Sequence, residues 1–226
     1  MSELEGAVVL VVGASGGLGS RIAAALAAAG ATVVRGGRSA EHLTGPGAYL
    51  ADIRTRDGGP SLVAAALAAH GRLDGVVVAA GVVAFGDAAS LGDDVLDELF
   101  EANATGPIRI LRSAFPALAA SATQGRSPFV VTISGVVAES PTVGLAAYSA
   151  SKAALAAFVA AASREYRRSG IRLLDARPGH TGTELSTHPL AGTAPKFGPA
   201  LDPDVVAARI VEAIEHDEKD LPSRAF

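Results

Sequence analysis

A tyrosine and a lysine stand four residues apart at Tyr148 and Lys152, in an alanine-rich run that is typical of a long helix. Residues at this spacing lie on the same helix face, one turn from each other. A phenol beside an ammonium group is an acid/base pair, because the positive charge favours the phenolate and lowers the tyrosine pKa from about 10 toward neutrality. Since the spacing is common in helices, its chemical meaning depends on the elements that position it.

A glycine-rich turn near the start of the chain follows the valine-rich apolar run 7–12 and precedes a helix-forming run that ends at Gly30. Between a buried strand and a helix, glycines permit a tight turn and close backbone approach to a pyrophosphate, which the free N–H groups of the helix N-terminus bind. The turn therefore predicts dinucleotide binding. Its predicted cofactor contacts are Gly13, Ser15, Gly17, Leu18 and Gly19.

Two other catalytic patterns fit the same residues less well. The turn also matches G-x-S-x-G, but a hydrolase nucleophile elbow needs an earlier strand and loop to supply its second oxyanion donor, and this strand is the first of the chain. Ser149 and Lys152 match S-x-x-K, but neither S-D-N nor K-T-G follows. We set both patterns aside.

Short apolar runs alternate with helix-forming runs along the whole chain, which predicts parallel βαβ units. The predicted strands are 7–12, 32–35, 48–51, 76–79, 129–133 and 172–176. The predicted helices are 20–30, 60–70, 93–120 with a bend permitted by Pro107, the run that begins near Tyr148, and 203–216 with Asp202 as its N-cap. We expect one α/β domain over 1–226, a Rossmann fold with a doubly wound parallel sheet and helices on both faces. Within the loop 178–202, residues 184–200 are the expected substrate lid.

The bulk composition limits the classes of function. Hydrophobic residues make up 49% of the 226 and charged residues 19%, which excludes disorder over most of the length. A net charge of −4 gives no general attraction to nucleic acid or to an anionic membrane surface. No long uncharged apolar run or signal-like N-terminus is present, cysteine is absent, and the five histidines show no metal-ligand spacing. We expect a cytoplasmic protein without a metal site.

With these motifs in hand, the chain resembles the short-chain dehydrogenase/reductase family over nearly its whole length. Glycines 13, 17 and 19 match the family's T-G-x-x-x-G-x-G, with Val12 where threonine is usual. The resemblance implies hydride transfer between a nicotinamide and a carbonyl compound or secondary alcohol. Tyr148 would be the general acid or base, Lys152 would lower its pKa and bind the nicotinamide ribose, and Asn103 would hold a water in the proton relay.

The resemblance also implies further cofactor contacts. Asp52 and Ile53 match the acidic and apolar pair that holds the adenine. Ala80 and Gly81 end a stretch, Val78 to Gly81, that stands where the family has N-N-A-G, with both asparagines missing. Matches to the P-G-x-x-x-T that binds the nicotinamide carboxamide are Pro178, Gly179 and Thr183.

The family's substrate-orienting serine is displaced in this chain. The family has it 13 residues before the tyrosine, which is Gly135 here, and Ser134 comes one residue earlier. Adjacent strand residues point to opposite faces, so either a bulge or an extra loop residue turns Ser134 inward or glycine replaces the serine. We favour Ser134 as the fourth catalytic residue and keep the replacement open.

The end of the second strand predicts the cofactor type. NAD-specific sheets place an acidic residue there, about 20 residues past the glycines. Here glycine occupies that place, and Arg38 and Ser39 follow. Since an arginine fork suits a 2′-phosphate, we expect NADP(H) rather than NAD(H).

The expected function is an NADP(H)-dependent oxidoreductase acting on a small carbonyl or alcohol substrate. The alternative is an NADP(H)-binding sensor or scaffold that has lost turnover, which the Ser134 offset favours. The chain lacks the D-G-G ending common in the family's tetramers, so we expect a homodimer through the helices of Asn103 and Tyr148.

Overall fold

The computed structural model describes residues 4–43, 45 and 47–226. The first three residues of the acidic N-terminal stretch lie outside this range. Across the described residues the strands form one six-stranded sheet in the order β3-β2-β1-β4-β5-β6, in which every neighbouring pair is parallel. The strands are β1 Val8–Val12, β2 Thr32–Gly37, β3 Ala48–Leu50, β4 Gly75–Val78, β5 Phe129–Ile133 and β6 Arg172–Ala176.

Helices cover both faces of this sheet, which confirms the predicted doubly wound α/β architecture. The helices are α1 Gly17–Ala28, α2 Gly58–His70, α3 Asp93–Phe100, α4 Gly106–Thr123, α5 Ala146–Tyr166 and α6 Pro203–Glu215. One hydrophobic core lies between the sheet and α1 with α6, and a second between the sheet and α2, α4 and α5. The strand order reverses between β1 and β4, so the carboxyl ends of these two strands open a crevice where ligands bind in such folds.

The local sequence explains why these elements begin where they do. Every residue of β1 and β4 is buried, as their continuous valine runs predict for strands covered on both faces. At the start of α6 the Asp202 carboxylate accepts a hydrogen bond from the Asp204 N–H at 2.8 Å, and Pro203 follows the cap, as predicted. Among the described helices, none has the length and hydropathy that crossing a membrane requires.

The long helical region is divided earlier than the predicted bend at Pro107. A π-helical turn, Glu101–Thr105, joins α3 to α4, whereas Pro107 falls in the first turn of α4. Proline does not lower the stability of a helix in its first turn, since the first N–H groups of a helix have no hydrogen-bond partner within it. The α-helical pattern is therefore interrupted by one extra residue in the turn that carries Asn103, and π-turns of this kind are frequent at functional sites.

The segment after β6 is more ordered than its composition predicts. Thr181 and Leu201 form a bridge at its base, with hydrogen bonds from Gly182 N to Leu201 O and from Leu201 N to His180 O at 2.9 and 2.8 Å. Its middle is tied to the loop after β4, where Leu190 N donates to Val83 O and Phe85 N donates to Ala191 O. The two ends of segment 184–200 are thus joined to each other at its base, and its middle is held by the loop that follows β4.

Candidate active site

The glycines of the first turn leave no room for side chains. Gly13 has φ +84°, and a Cβ there would lie 2.5 Å from the backbone nitrogen of Ala80. A Cβ on Gly19 would collide with the carbonyl oxygen of Gly13. The turn therefore packs backbone on backbone across the crevice between β1 and β4. Helix α1 begins at Gly17, so its first N–H groups point into the same crevice.

The loop after β6 lies directly on this turn. A Cβ on Gly17 would lie 2.9 Å from the Cβ of Thr183, so these two predicted cofactor residues are in contact. Pro178 is buried, and its carbonyl accepts a hydrogen bond from Val136 N at 2.9 Å. The structure thus brings the glycine turn, the Pro178 loop and the end of β5 to one edge of the sheet.

A cavity of about 490 Å³ opens at the carboxyl ends of β2 and β3. The residues that line it are Arg38, Ser39, Leu50, Ala51, Asp52 and Arg54. Arg38 is exposed and has no hydrogen bond or ion pair within the described part of the chain. Ser15 of the glycine turn borders the end of β2, since a Cβ on Gly37 would lie 3.1 Å from its hydroxyl.

Arg54 is a residue of this cavity that the sequence reasoning missed. It forms two-pronged hydrogen bonds to the Asp52 carboxylate at 2.6–3.0 Å and an ion pair with Glu98. The Arg54 hydrogen bond holds the pKa of the Asp52 carboxyl below its usual range. Asp52 is therefore an ion-paired carboxylate beside Arg38. The spacing of Asp52 and Arg54 in one loop was the only sequence signal.

Two of the predicted cofactor contacts, Leu18 and Ile53, have apolar side chains. Ile53 is buried, and its carbonyl oxygen lies against Gly106, where a Cβ would come within 2.6 Å of it. Leu18 lies in the first turn of α1 and packs against the core on that face of the sheet. Both side chains thus belong to the hydrophobic cores on either side of the sheet.

Asn103 and Lys152 converge on Gly81, at the other end of the crevice. A Cβ on Gly81 would lie 3.0 Å from Asn103 Oδ1 and 3.1 Å from Lys152 Nζ. The Asn103 amide is fully buried: Oδ1 accepts from Val82 N at 2.9 Å, while Nδ2 donates to Val82 O at 2.9 Å and to Ser151 Oγ at 3.0 Å. Asn103 thereby ties the loop after β4 to helix α5.

Tyr148 and Lys152 are neighbours on α5, as their spacing predicts, with the Lys152 ammonium 6.0 Å from the centre of the Tyr148 ring. Lys152 Nζ donates to the carbonyl of Ile133 at 2.8 Å. The predicted fall in the Tyr148 pKa is not observed: burial raises the pKa of Tyr148 to about 12 and lowers that of Lys152 to about 8. Desolvation disfavours the charged form of each group, and for Lys152 it outweighs the opposing attraction of the Asp175 carboxylate.

Ser134 does not turn toward Tyr148. Its side chain is 0% exposed, and its hydroxyl donates to the buried carboxylate of Asp175 at 2.5 Å, alongside Thr132 at 2.7 Å. Burial raises the pKa of the Asp175 carboxyl, and hydrogen bonds from Ser134 and Thr132 oppose that rise. The geometry thus counts against the predicted substrate-orienting role of Ser134, since its hydroxyl is already committed.

Gly135 follows β5 with φ +76° and is partly exposed at the crevice. A side chain there would meet only the Pro178 carbonyl, at 3.7 Å. Glycine holds this backbone conformation without strain, whereas serine would be strained in it. Gly135 therefore occupies the position 13 residues before Tyr148 with no hydroxyl.

The assembled crevice and its sheet match a known family. The family model described as short chain dehydrogenase matches residues 7–191. The chain belongs to this family. The short-chain dehydrogenases are oxidoreductases that act on small molecules, and the match runs from β1 and the glycine turn through β6 to residue 191, within segment 184–200.

Individual relatives agree with this assignment. "Dehydrogenase/reductase SDR family protein 7-like" of Anopheles gambiae is 31% identical over 97% of this chain and 75% of its own length. Two solved structures share the fold at 24% identity. 3-Ketoacyl-(acyl-carrier-protein) reductase from Brucella melitensis, complexed with NADH, has a TM-score of 0.88 over 99% of this chain and 100% of its own. A short chain dehydrogenase from Burkholderia cenocepacia, in complex with NADP, has a TM-score of 0.82 over 99% and 90%.

Proposed function

We propose that this short-chain dehydrogenase transfers a hydride between NADP(H) and a small carbonyl compound or secondary alcohol. The observation that carries the proposal is the convergence of Tyr148, Lys152 and Asn103 beside Gly81, at the edge of the sheet where the glycine turn lies. A phenol, an ammonium and a dinucleotide crevice in one place are the parts that carbonyl reduction requires.

The described residues fit a nicotinamide dinucleotide along the whole crevice. Gly13 and Gly19 have no side chain that would keep a ligand from the backbone, and the first N–H groups of α1 lie beside them. This arrangement of backbone and N–H donors suits a pyrophosphate. The cavity at Arg38 and Ser39 suits the adenosine end, and the unpaired Arg38 fork favours a 2′-phosphate over a hydroxyl. This unpaired cation is the support for NADP(H) over NAD(H).

Tyr148 and Lys152 have different roles in the proposed reaction. Bound reduced nicotinamide supplies the hydride, and in the proposed reduction Tyr148 donates its phenolic proton to the carbonyl oxygen. A Tyr148 pKa of about 12 keeps the phenol protonated at neutral pH, which suits the acid role. Lys152, with a pKa of about 8, is mainly charged at pH 7 and stabilises the phenolate that proton transfer leaves.

NADPH oxidation with a panel of ketones and aldehydes tests this function. We expect turnover by the wild type and a loss of about 100-fold or more in kcat for Tyr148→Phe, with NADPH binding retained. Tyr166→Phe is the matched control on the same helix, because its hydroxyl donates to Leu111 O at 3.0 Å, away from the crevice. It should lose stability and keep activity. Full activity of Tyr148→Phe would refute the assignment.

A second function, a sensor that binds NADP(H) without turnover, is favoured by one observation: Gly135 stands where the family has serine, and the Ser134 hydroxyl is committed to Asp175. Tight NADPH binding by the wild type without oxidation across the whole panel would support the sensor over the enzyme.

We further propose that the protein is one cytoplasmic domain over 1–226. We also propose that segment 184–200 is its substrate lid, which is supported by the hydrogen bonds of that segment to Val83 and Phe85.

We propose in addition a homodimer that forms through α4 and α5. It is supported by small exposed residues along α5, among them Ala150 and Ala157. Light scattering of wild type and Ala157→Arg tests the dimer, since a long charged side chain on that face should yield monomers.

A further inference from the structure

A histidine stands at the base of segment 184–200 with no polar partner for its ring. His180 directly follows Gly179, and its carbonyl accepts a hydrogen bond from Leu201 N at 2.8 Å, which fixes its backbone. The ring is half-buried and stacks on Phe197, with centroids 4.3 Å apart and an interplanar angle of 24°. Neither ring nitrogen has a hydrogen bond or ion pair within the described part of the chain.

Phe197 connects His180 to the surroundings of Tyr148. Its ring lies 6.1 Å from that of Phe85 and packs on an apolar cluster of Val83, Phe85 and Leu145. Tyr148 packs on the same cluster from α5. The imidazole and the phenol therefore border one apolar surface, and they come from different elements.

The electrostatic character of this surface differs from that of the adenosine end. Glu184 and Lys196, the two ionised side chains of segment 184–200, are both exposed. Gly135 brings no hydroxyl to the crevice, and Ser134 is held by Asp175. An imidazole carries one N–H donor even when neutral, so His180 can supply a second hydrogen-bond donor at this surface, beside the Tyr148 phenol.

We propose that His180 donates a hydrogen bond to the substrate carbonyl in place of the missing serine hydroxyl, and that the substrate is an uncharged carbonyl compound with an apolar or aromatic substituent. The inference rests on the proposed function and names the substrate class of the same site. The substituent packs on the apolar cluster of Val83, Phe85 and Leu145, and the carbonyl oxygen accepts hydrogen bonds from the Tyr148 phenol and the His180 imidazole. A carboxylate on the substrate would be desolvated against the apolar cluster, and the Lys152 ammonium nearby already donates to the carbonyl of Ile133.

Three substitutions separate hydrogen bonding from packing. His180→Phe keeps an aromatic ring on Phe197 and removes the donor, whereas His180→Gln keeps a donor and removes the ring. His216→Ala is the control, since His216 is exposed at the end of α6 and its ring bonds to Glu212 O, within its own helix. The probes are acetophenone and benzoylformate, which present the same aryl ketone without and with a carboxylate.

We expect the wild type to have a kcat/KM about 10-fold or more higher for acetophenone than for benzoylformate. His180→Phe should lose about 10-fold in kcat/KM for acetophenone, the loss of one hydrogen bond to the reacting group, with NADPH affinity unchanged. His180→Gln should recover part of that loss, and His216→Ala should match the wild type. Wild-type activity in His180→Phe, or a preference for benzoylformate, would overturn the inference and leave the proposed function standing.

Absence of turnover by the wild type would instead refute the proposed function. In that case calorimetric titration of acetophenone into the NADPH-saturated protein decides the inference by itself. Binding that weakens about 10-fold in His180→Phe supports it, and binding that is absent or equal in the two proteins refutes it.

Discussion

Replacing Arg38 by alanine should weaken NADPH binding about 10-fold and leave NADH binding within about 2-fold of the wild type. The expectation follows from the position of Arg38, an exposed arginine that lines the cavity of about 490 Å³ at the ends of β2 and β3. The two cofactors differ only in the 2′-phosphate, so the ratio of their dissociation constants isolates the contact that is tested.

The magnitude follows from the surroundings of Arg38. A hydrogen bond to a charged group contributes about 1.5–3 kcal/mol, and exposure to solvent places Arg38 at the lower end of that range. About 1.4 kcal/mol corresponds to a factor of ten in affinity. Arg54, although it lines the same cavity, is already paired with Asp52 and Glu98 and contributes little net charge.

Equilibrium titration that follows the fluorescence of bound NADPH and NADH measures both constants. Raising the ionic strength from about 0.05 to 0.5 M should narrow the difference between wild type and R38A, because salt screens an exposed contact. Arg56→Ala is the matched control: Arg56 is an exposed cation of the loop after β3 and does not line the cavity. A loss in R56A as large as that in R38A, or an equal loss of NADH binding in R38A, would refute the reasoning.

Three other outcomes are expected. The rate of carbonyl reduction should fall as pH rises through about 8, where Lys152 loses its charge. In Lys152→Arg the rate should show no such decrease at high pH, because arginine stays charged. Gly13→Ala should cost about 3 kcal/mol in urea unfolding, against about 1 kcal/mol for Gly6→Ala, since both have positive φ but only Gly13 also meets backbone atoms. Ser134→Ala should cost about 1–3 kcal/mol of stability by leaving Asp175 short of a donor, with kcat within about 2-fold. A fall of about 100-fold in its kcat would restore Ser134 to the catalytic site.

The sheet and the glycine turn were predictable because their signals are local. The runs at β1 and β4 lack polar side chains and the run at β5 has one, Thr132, and helix-forming runs lie between them, so the parallel order follows from connection rules alone. Gly13 and Gly19 were identified because a glycine turn between a strand and a helix has few structural alternatives.

Features that depend on distant residues escaped prediction. The neutralisation of Arg54 involves Glu98, 44 residues further along the chain, and no spacing rule connects the two. The π-turn at Asn103 adds one residue to a helical run without disturbing its apolar pattern. The Tyr148 pKa was predicted from its neighbour Lys152, whereas burial, which depends on the whole fold, decides its direction.

The buried carboxylate of Asp175 explains which way the side chain of Ser134 faces. Asp175 lies on β6 opposite Thr132, so its carboxylate is enclosed beside β5 and needs donors from that strand. Ser134 is two residues beyond Thr132 and therefore faces the same side, and its hydroxyl satisfies the second carboxylate oxygen. A bulge that turned Ser134 into the crevice would replace this short hydrogen bond by the 3.4 Å contact that Arg177 makes with the same oxygen, in a buried site. The next residue must then face the crevice, and that residue is Gly135.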